Sequence, residues 1–76
     1  MERYANRSGN SGVIDYQIGS DSIIVKFADG WRYSYTYESA GADNVEYMKN
    51  LAARGQGLSA FISTIVRNAY AHRLPP

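Results

Sequence analysis

The sequence predicts an α+β fold of two layers, a three-stranded antiparallel meander followed by two helices packed on one of its faces (βββαα). Three observations lead there. Apolar residues alternate with polar ones through most of residues 13–37, Asp29-Gly30 marks a hairpin inside that stretch, and helical periodicity takes over from residue 43.

The first strand is Val13 to Ile18, where Ile14, Tyr16 and Ile18 alternate with Asp15 and Gln17. Gly19-Ser20-Asp21-Ser22 supplies turn chemistry. The second strand, Ile23 to Phe27, puts Ile23, Val25 and Phe27 on one face and Ile24 and Lys26 on the other. After Asp29-Gly30 the third strand, Trp31 to Tyr37, lines one face with Trp31, Tyr33, Tyr35 and Tyr37 and the other with Arg32, Ser34 and Thr36. Each strand thus offers one apolar face, as a sheet covered on a single side requires.

Glu38 to Ala42 reads as a connector, and Asp43 with Glu46 has capping-box spacing at the start of the first helix. Val45, Met48, Leu51 and Ala52 share one face of it, and Gly55 stops it as a C′ residue. A second helix is expected from Leu58 to Tyr70, with Leu58, Phe61, Ile62, Ile65, Val66 and Ala69 as its apolar stripe. Leu74-Pro75-Pro76 should close the chain as an extended stub. Residues 1–12, with the polar run Asn6 to Gly12, read as a flexible tail, which leaves 13–74 as the single folded domain.

Length and composition narrow the function. A chain of 76 residues buries only about 60% of its unfolded surface, so little stability is in hand. There is no cysteine and one histidine, His72, which argues against disulfides, thiolate metal sites and a Ser–His–Asp constellation. Cofactor and metal are therefore expected to be none. The missing cysteines fit a reducing, cytoplasmic setting. No run is long and apolar enough to span a bilayer, and Met1-Glu2-Arg3-Tyr4-Ala5-Asn6 lacks the apolar region of a signal peptide.

The net charge of +1 hides an asymmetry. Residues 1–46 hold four basic and seven acidic side chains, whereas 47–76 hold Lys49, Arg54, Arg67 and Arg73 and no acid. Such a split can mark an anionic partner, or it can place cations toward helix C-termini.

The motif order Trp31-Arg32-Tyr33-Ser34-Tyr35 after Asp29-Gly30, Met48-Lys49-Asn50-Leu51-Ala52, Gly55-Gln56-Gly57-Leu58-Ser59-Ala60-Phe61-Ile62 and Val66-Arg67-Asn68-Ala69-Tyr70 resembles the KTSC domain. That family occurs alone in bacterial proteins and at the C-terminus of some lysyl-tRNA synthetases. The resemblance covers residues 11–71, and its recurrent Tyr-x-Tyr is met by Tyr33 and Tyr35. It implies RNA as a partner through the synthetase context. Ser59 and Ser63 depart from the asparagines that related sequences often carry.

Four constellations could carry function. The tyrosine face of the third strand could stack bases, but two helices need that face, so its rings are expected mostly in the core. Gly55 and Gly57, beside Arg54, could let a phosphate approach the second helix, or could simply form a tight turn. Ser59, Ser63 and Arg67 would form one row on that helix, with Tyr70 and Arg73 beyond it, as a donor cluster for phosphate or carboxylate. Arg67 could instead pair with Glu38 or Asp15 on the surface. The polar sheet face of Asp15, Gln17, Ile24, Lys26, Arg32, Ser34 and Thr36 could support a homodimer. With no paired carboxylates and no activated nucleophile, the expectation is a non-catalytic binding module. It would meet RNA through Arg54, Arg67, Arg73 and Lys49, the alternative being a protein-interaction or self-association domain.

Overall fold

The computed structural model describes residues 1–9 and 11–76. Its elements run β1 (Glu2–Arg3), β2 (Val13–Ile18), β3 (Ser22–Phe27), β4 (Arg32–Thr36), α1 (Tyr37–Ala40), α2 (Ala42–Arg54), α3 (Leu58–Phe61), a π-helical turn (Ile62–Val66) and β5 (His72–Leu74). The class is α+β, and the expected meander is the centre of a larger sheet. Five antiparallel strands lie in the order β1-β2-β3-β4-β5.

The two added strands have two and three residues, too few to show a period of two in the sequence. Glu2 pairs with Tyr16 and Arg3 with Asp15 at one edge. At the other, Arg32, Tyr33 and Ser34 pair with Leu74, Arg73 and His72. The expected C-terminal stub is thus partly a strand. Both edge strands are short, and Pro75-Pro76 ends the outer one, so the sheet offers little free edge to another chain.

The reading of residues 1–12 as a flexible tail is corrected by contacts that begin at β1. Tyr4 is only 4% exposed and belongs to the core. The Leu58 amide donates to its hydroxyl at 3.2 Å. The Arg7 amide donates to the Gly55 carbonyl (2.7 Å) and its Nε to the Arg54 carbonyl (2.8 Å). A polar run can be held this way because its backbone supplies the bonds and one aromatic ring supplies the burial. Asn10, within the same run, lies outside the described residues.

In β2 the register slips between Val13 and Asp15, so Ile14 is the extra residue of a bulge. Val13 and Tyr16 are buried on either side of it, while Ile14 is exposed. Ile18, at the strand's end, is exposed as well. From β3 and β4 the core takes Ile23, Val25 and Tyr35, and from α2 it takes the expected Val45, Met48, Leu51 and Ala52.

The connector after β4 is one helical turn. Thr36 caps α1: the Ser39 amide donates to its Oγ1 and its own amide donates to the Ser39 hydroxyl, both at 3.0 Å. This is the capping box, placed one element earlier than the Asp43/Glu46 expectation; α2 has Gly41 at its N-cap and no side-chain cap. Gly55 ends α2 as expected, at φ 72°, its amide donating to the Leu51 and Ala52 carbonyls. Ala5 packs where a side chain at this position would stand.

The expected helix from Leu58 to Tyr70 is α-helical for one turn and then widens to a π turn that stops at Val66. The Ser63 and Thr64 hydroxyls both donate to the Ala60 carbonyl (3.1 and 2.7 Å), competing with the α-helical amide bond there. Ile62, Thr64, Ile65 and Val66 add four β-branched residues that hold the α-helix weakly. The Arg67 amide closes the turn on the Ile62 carbonyl at 2.6 Å. Leu58, Ile62 and Val66 face the core, whereas Ile65 is 56% exposed, turned out of the stripe that an α-helix would have given it.

Lys49 ties α2 to the β2–β3 turn. Its ammonium lies 2.7 Å from Glu46, donates to the Ser20 carbonyl at 3.1 Å and stands 5.5 Å over the Tyr37 ring. The Tyr37 hydroxyl donates to Glu46 as well. The Lys49 ammonium and then the Tyr37 hydroxyl hold the Glu46 carboxyl below its usual range. The hydrogen bond to Glu46 in turn raises Lys49. Stability from Glu46 is present above the ordinary carboxylate pKa and is lost as pH falls through the lowered one. That from Lys49 is present below the ordinary lysine pKa and is lost as pH rises through the raised one. Glu46→Gln should therefore be less stable than wild type at neutral pH. The difference in thermal midpoint should narrow as pH falls to about 3, as parallel melts would record.

Candidate functional site

The early end of the second helical segment leaves one end of the sheet's inner face uncovered. There β4 presents Tyr33 and Tyr35 on the same side, and Arg73 of β5 is the cross-strand partner of Tyr33. Phe27 and Asp29 come from the β3–β4 hairpin, Ile62 and Ser63 from the π turn, and Arg67, Asn68 and Tyr70 from the link to β5. Together they line an open groove of about 550 Å³.

The floor is aromatic. Tyr33 meets Phe27 edge-on with ring centroids 5.4 Å apart and leans on Tyr70 at 5.1 Å; Tyr70 in turn stands edge-on to Tyr35 at 6.3 Å. Tyr35 is 1% exposed and belongs to the core, whereas Tyr33 and Tyr70 are half-buried. The face expected to be mostly core is therefore divided, with its Tyr35 part covered and its Tyr33 part open. The Tyr35 hydroxyl donates to the Arg67 carbonyl at 3.4 Å. Burial, with Tyr33 and Tyr70 adding to it, pushes its pKa up to about 12, so at neutral pH it is protonated and able to donate.

The rim is charged. Arg67 and Arg73 are exposed, and Arg73 lies over the Trp31 ring at 4.9 Å. Among the described residues the one ion pair is Lys49–Glu46, so neither groove arginine is paired with a carboxylate; the surface pairing of Arg67 with Glu38 or Asp15 does not form. Asp29 accepts from the Trp31 amide at 3.0 Å, the hairpin turn its sequence promised.

Of the residues expected to form a site, Ser63, Arg67, Tyr70 and Arg73 meet in this groove. Ser63 spends its hydroxyl on Ala60, and Arg67 lies beyond the π turn, so the expected α-helical row is broken. Gly57 and Ser59 line a separate depression with Ser8 and Ser11. Gly55 is buried, with Ala5 packed against it. The carbonyls of Arg54 and Gly55 are both taken by Arg7. The glycine turn that was to receive a phosphate is thus partly occupied by the chain's own N-terminal segment. Helix α3 behind it is a single turn, too short for a useful dipole. Lys49 is not part of the groove lining and is engaged against Ser20 and Glu46.

Phe27, Asp29, Ile62 and Asn68 also line the groove, though none was among the expected site residues. Tyr33 and Tyr35 were visible as a pair but were expected in the core. The groove lies where the helix stops, and the hydroxyl bonds of Ser63 and Thr64 to one carbonyl, which weaken the helix there, are not reported by a hydrophobic stripe. Comparison with protein-family models, with curated proteins and with solved structures finds no match for this chain.

Proposed function

We propose that this chain is a small non-catalytic, KTSC-like binding module that takes single-stranded RNA in the Tyr33–Tyr70 groove. The observation that carries the reading is the conjunction of half-open tyrosine rings with two guanidinium groups free of carboxylate partners. Exposed rings give stacking to any base, and arginines at the rim give phosphate contacts, the two ingredients of sequence-tolerant single-strand binding. The Tyr-x-Tyr pair of the KTSC resemblance, Tyr33 and Tyr35, lies in this groove. A cysteine-free chain suits the reducing cytoplasm where such a partner is met.

The test is fluorescence anisotropy with a labelled, unstructured uridine-rich oligonucleotide. Binding should weaken with salt, log K falling by about 0.7 per phosphate contact per log unit of salt. With two groove arginines the slope should lie between about 1 and 2, and Arg73→Ala should lower it by about one contact's worth. No binding at about 50 mM salt, where phosphate contacts are strongest, would overturn the reading.

A further inference from the structure

The residue that closes the π turn has an unusual backbone. Arg67 sits at φ 44°, ψ −111°. Five described glycines take positive φ, Gly9, Gly30, Gly41, Gly55 and Gly57, and the only other residue there is Asn6, a type that tolerates it. Arg67 is thus the one described residue with a long side chain held in this region, where a Cβ is strained and glycine would relieve the strain. The preceding π turn is itself a less favourable form of helix that concentrates at functional sites.

The surroundings hold the turn in place. The Arg67 amide donates to the Ile62 carbonyl at 2.6 Å, and its carbonyl accepts from the buried Tyr35 at 3.4 Å. Both backbone groups are fixed, while the side chain is exposed and lines the groove. Arg73, the other groove cation, is steadied by the Trp31 ring beneath it, whereas Arg67 has no ring partner and is placed by its backbone alone.

We propose that the strained turn is retained because it aims the Arg67 guanidinium into the groove, where it binds the phosphate of the ligand, with Tyr35 as a positioning residue. This rests on the groove reading above. A glycine here would fold better and bind worse.

Three variants test it, read by thermal midpoint and by anisotropy with the same uridine-rich oligonucleotide. Arg67→Gly should raise the midpoint above that of Arg67→Ala by about 4 °C or more and should weaken binding about tenfold. Arg67→Ala keeps the strain and loses the guanidinium, so it should lose affinity without the gain in midpoint. Tyr35→Phe, assayed well below its midpoint, should weaken binding several-fold with the ring packing kept. If wild type binds and Arg67→Gly binds equally, or is no more stable than Arg67→Ala, the inference is overturned and the groove reading stands. If Tyr35→Phe loses midpoint but keeps full affinity, its positioning role is overturned. A wild-type chain that does not bind the oligonucleotide overturns both.

Discussion

Tyr4→Ala should cost about 3–5 kcal/mol, the range for emptying a buried aromatic site. In so small a domain that is most of the stability available, and the variant should be largely unfolded at room temperature. The ring sits in the core at 4% exposure, and its hydroxyl does a second job. Helix α3 has glycine at its N-cap and no local side chain to receive its first amides. Tyr4 accepts the Leu58 amide from 54 residues away. Tyr4→Phe keeps the ring and isolates that bond; leaving a buried amide unpaired should cost about 1–3 kcal/mol. Urea unfolding followed by circular dichroism measures both. A Tyr4→Ala variant within about 0.5 kcal/mol of wild type, the range of ordinary surface changes, would mean that the N-terminal segment is not part of the fold.

Tyr33→Ala should remove a stacking platform worth about 1–3 kcal/mol per base, so oligonucleotide affinity should fall about tenfold or more. Tyr33 is half-buried against Phe27 and Tyr70, so some stability will go with it. Tyr33→Phe separates the two effects, because it keeps a ring for stacking and should bind nearly as wild type. Tyr47→Ala, which removes an exposed ring packed on Phe61 and outside the groove lining, should leave affinity unchanged. Equal losses from Tyr33→Ala and Tyr47→Ala would show that exposed tyrosines act without regard to the groove.

Elements with a long, regular pattern were legible in the sequence. Val45, Met48, Leu51 and Ala52 mark the buried face of α2, and Gly55 marks its end, because both depend on spacing along one helix. The central meander was legible for the same reason. What escaped depends on contacts between distant residues. β1 and β5 are strands only because β2 and β4 supply their partners, and two or three residues carry no period of their own. The polar run after Tyr4 looked unable to fold, yet it is held by backbone bonds and one ring. Ser63 and Thr64 looked like the solvent side of an α-helix. Their shared bond to Ala60 helps turn that helix into a π turn, and the site follows from that change. Ser63, Arg67, Tyr70 and Arg73 therefore do come together in one groove, but not as the α-helical row that was expected to join them.

In the proposed complex the ligand lies in the groove between β4, β5 and the strained Arg67 turn. An amide and side-chain NMR shift map with the uridine-rich oligonucleotide at low salt would locate it. The largest shifts should fall on Tyr33, Arg67, Asn68, Tyr70 and Arg73, with the Gly55–Ser59 turn and the outer sheet face at Arg3, Lys26 and Arg32 little changed. Shifts confined to the glycine turn or to that outer face, with the groove silent, would contradict it.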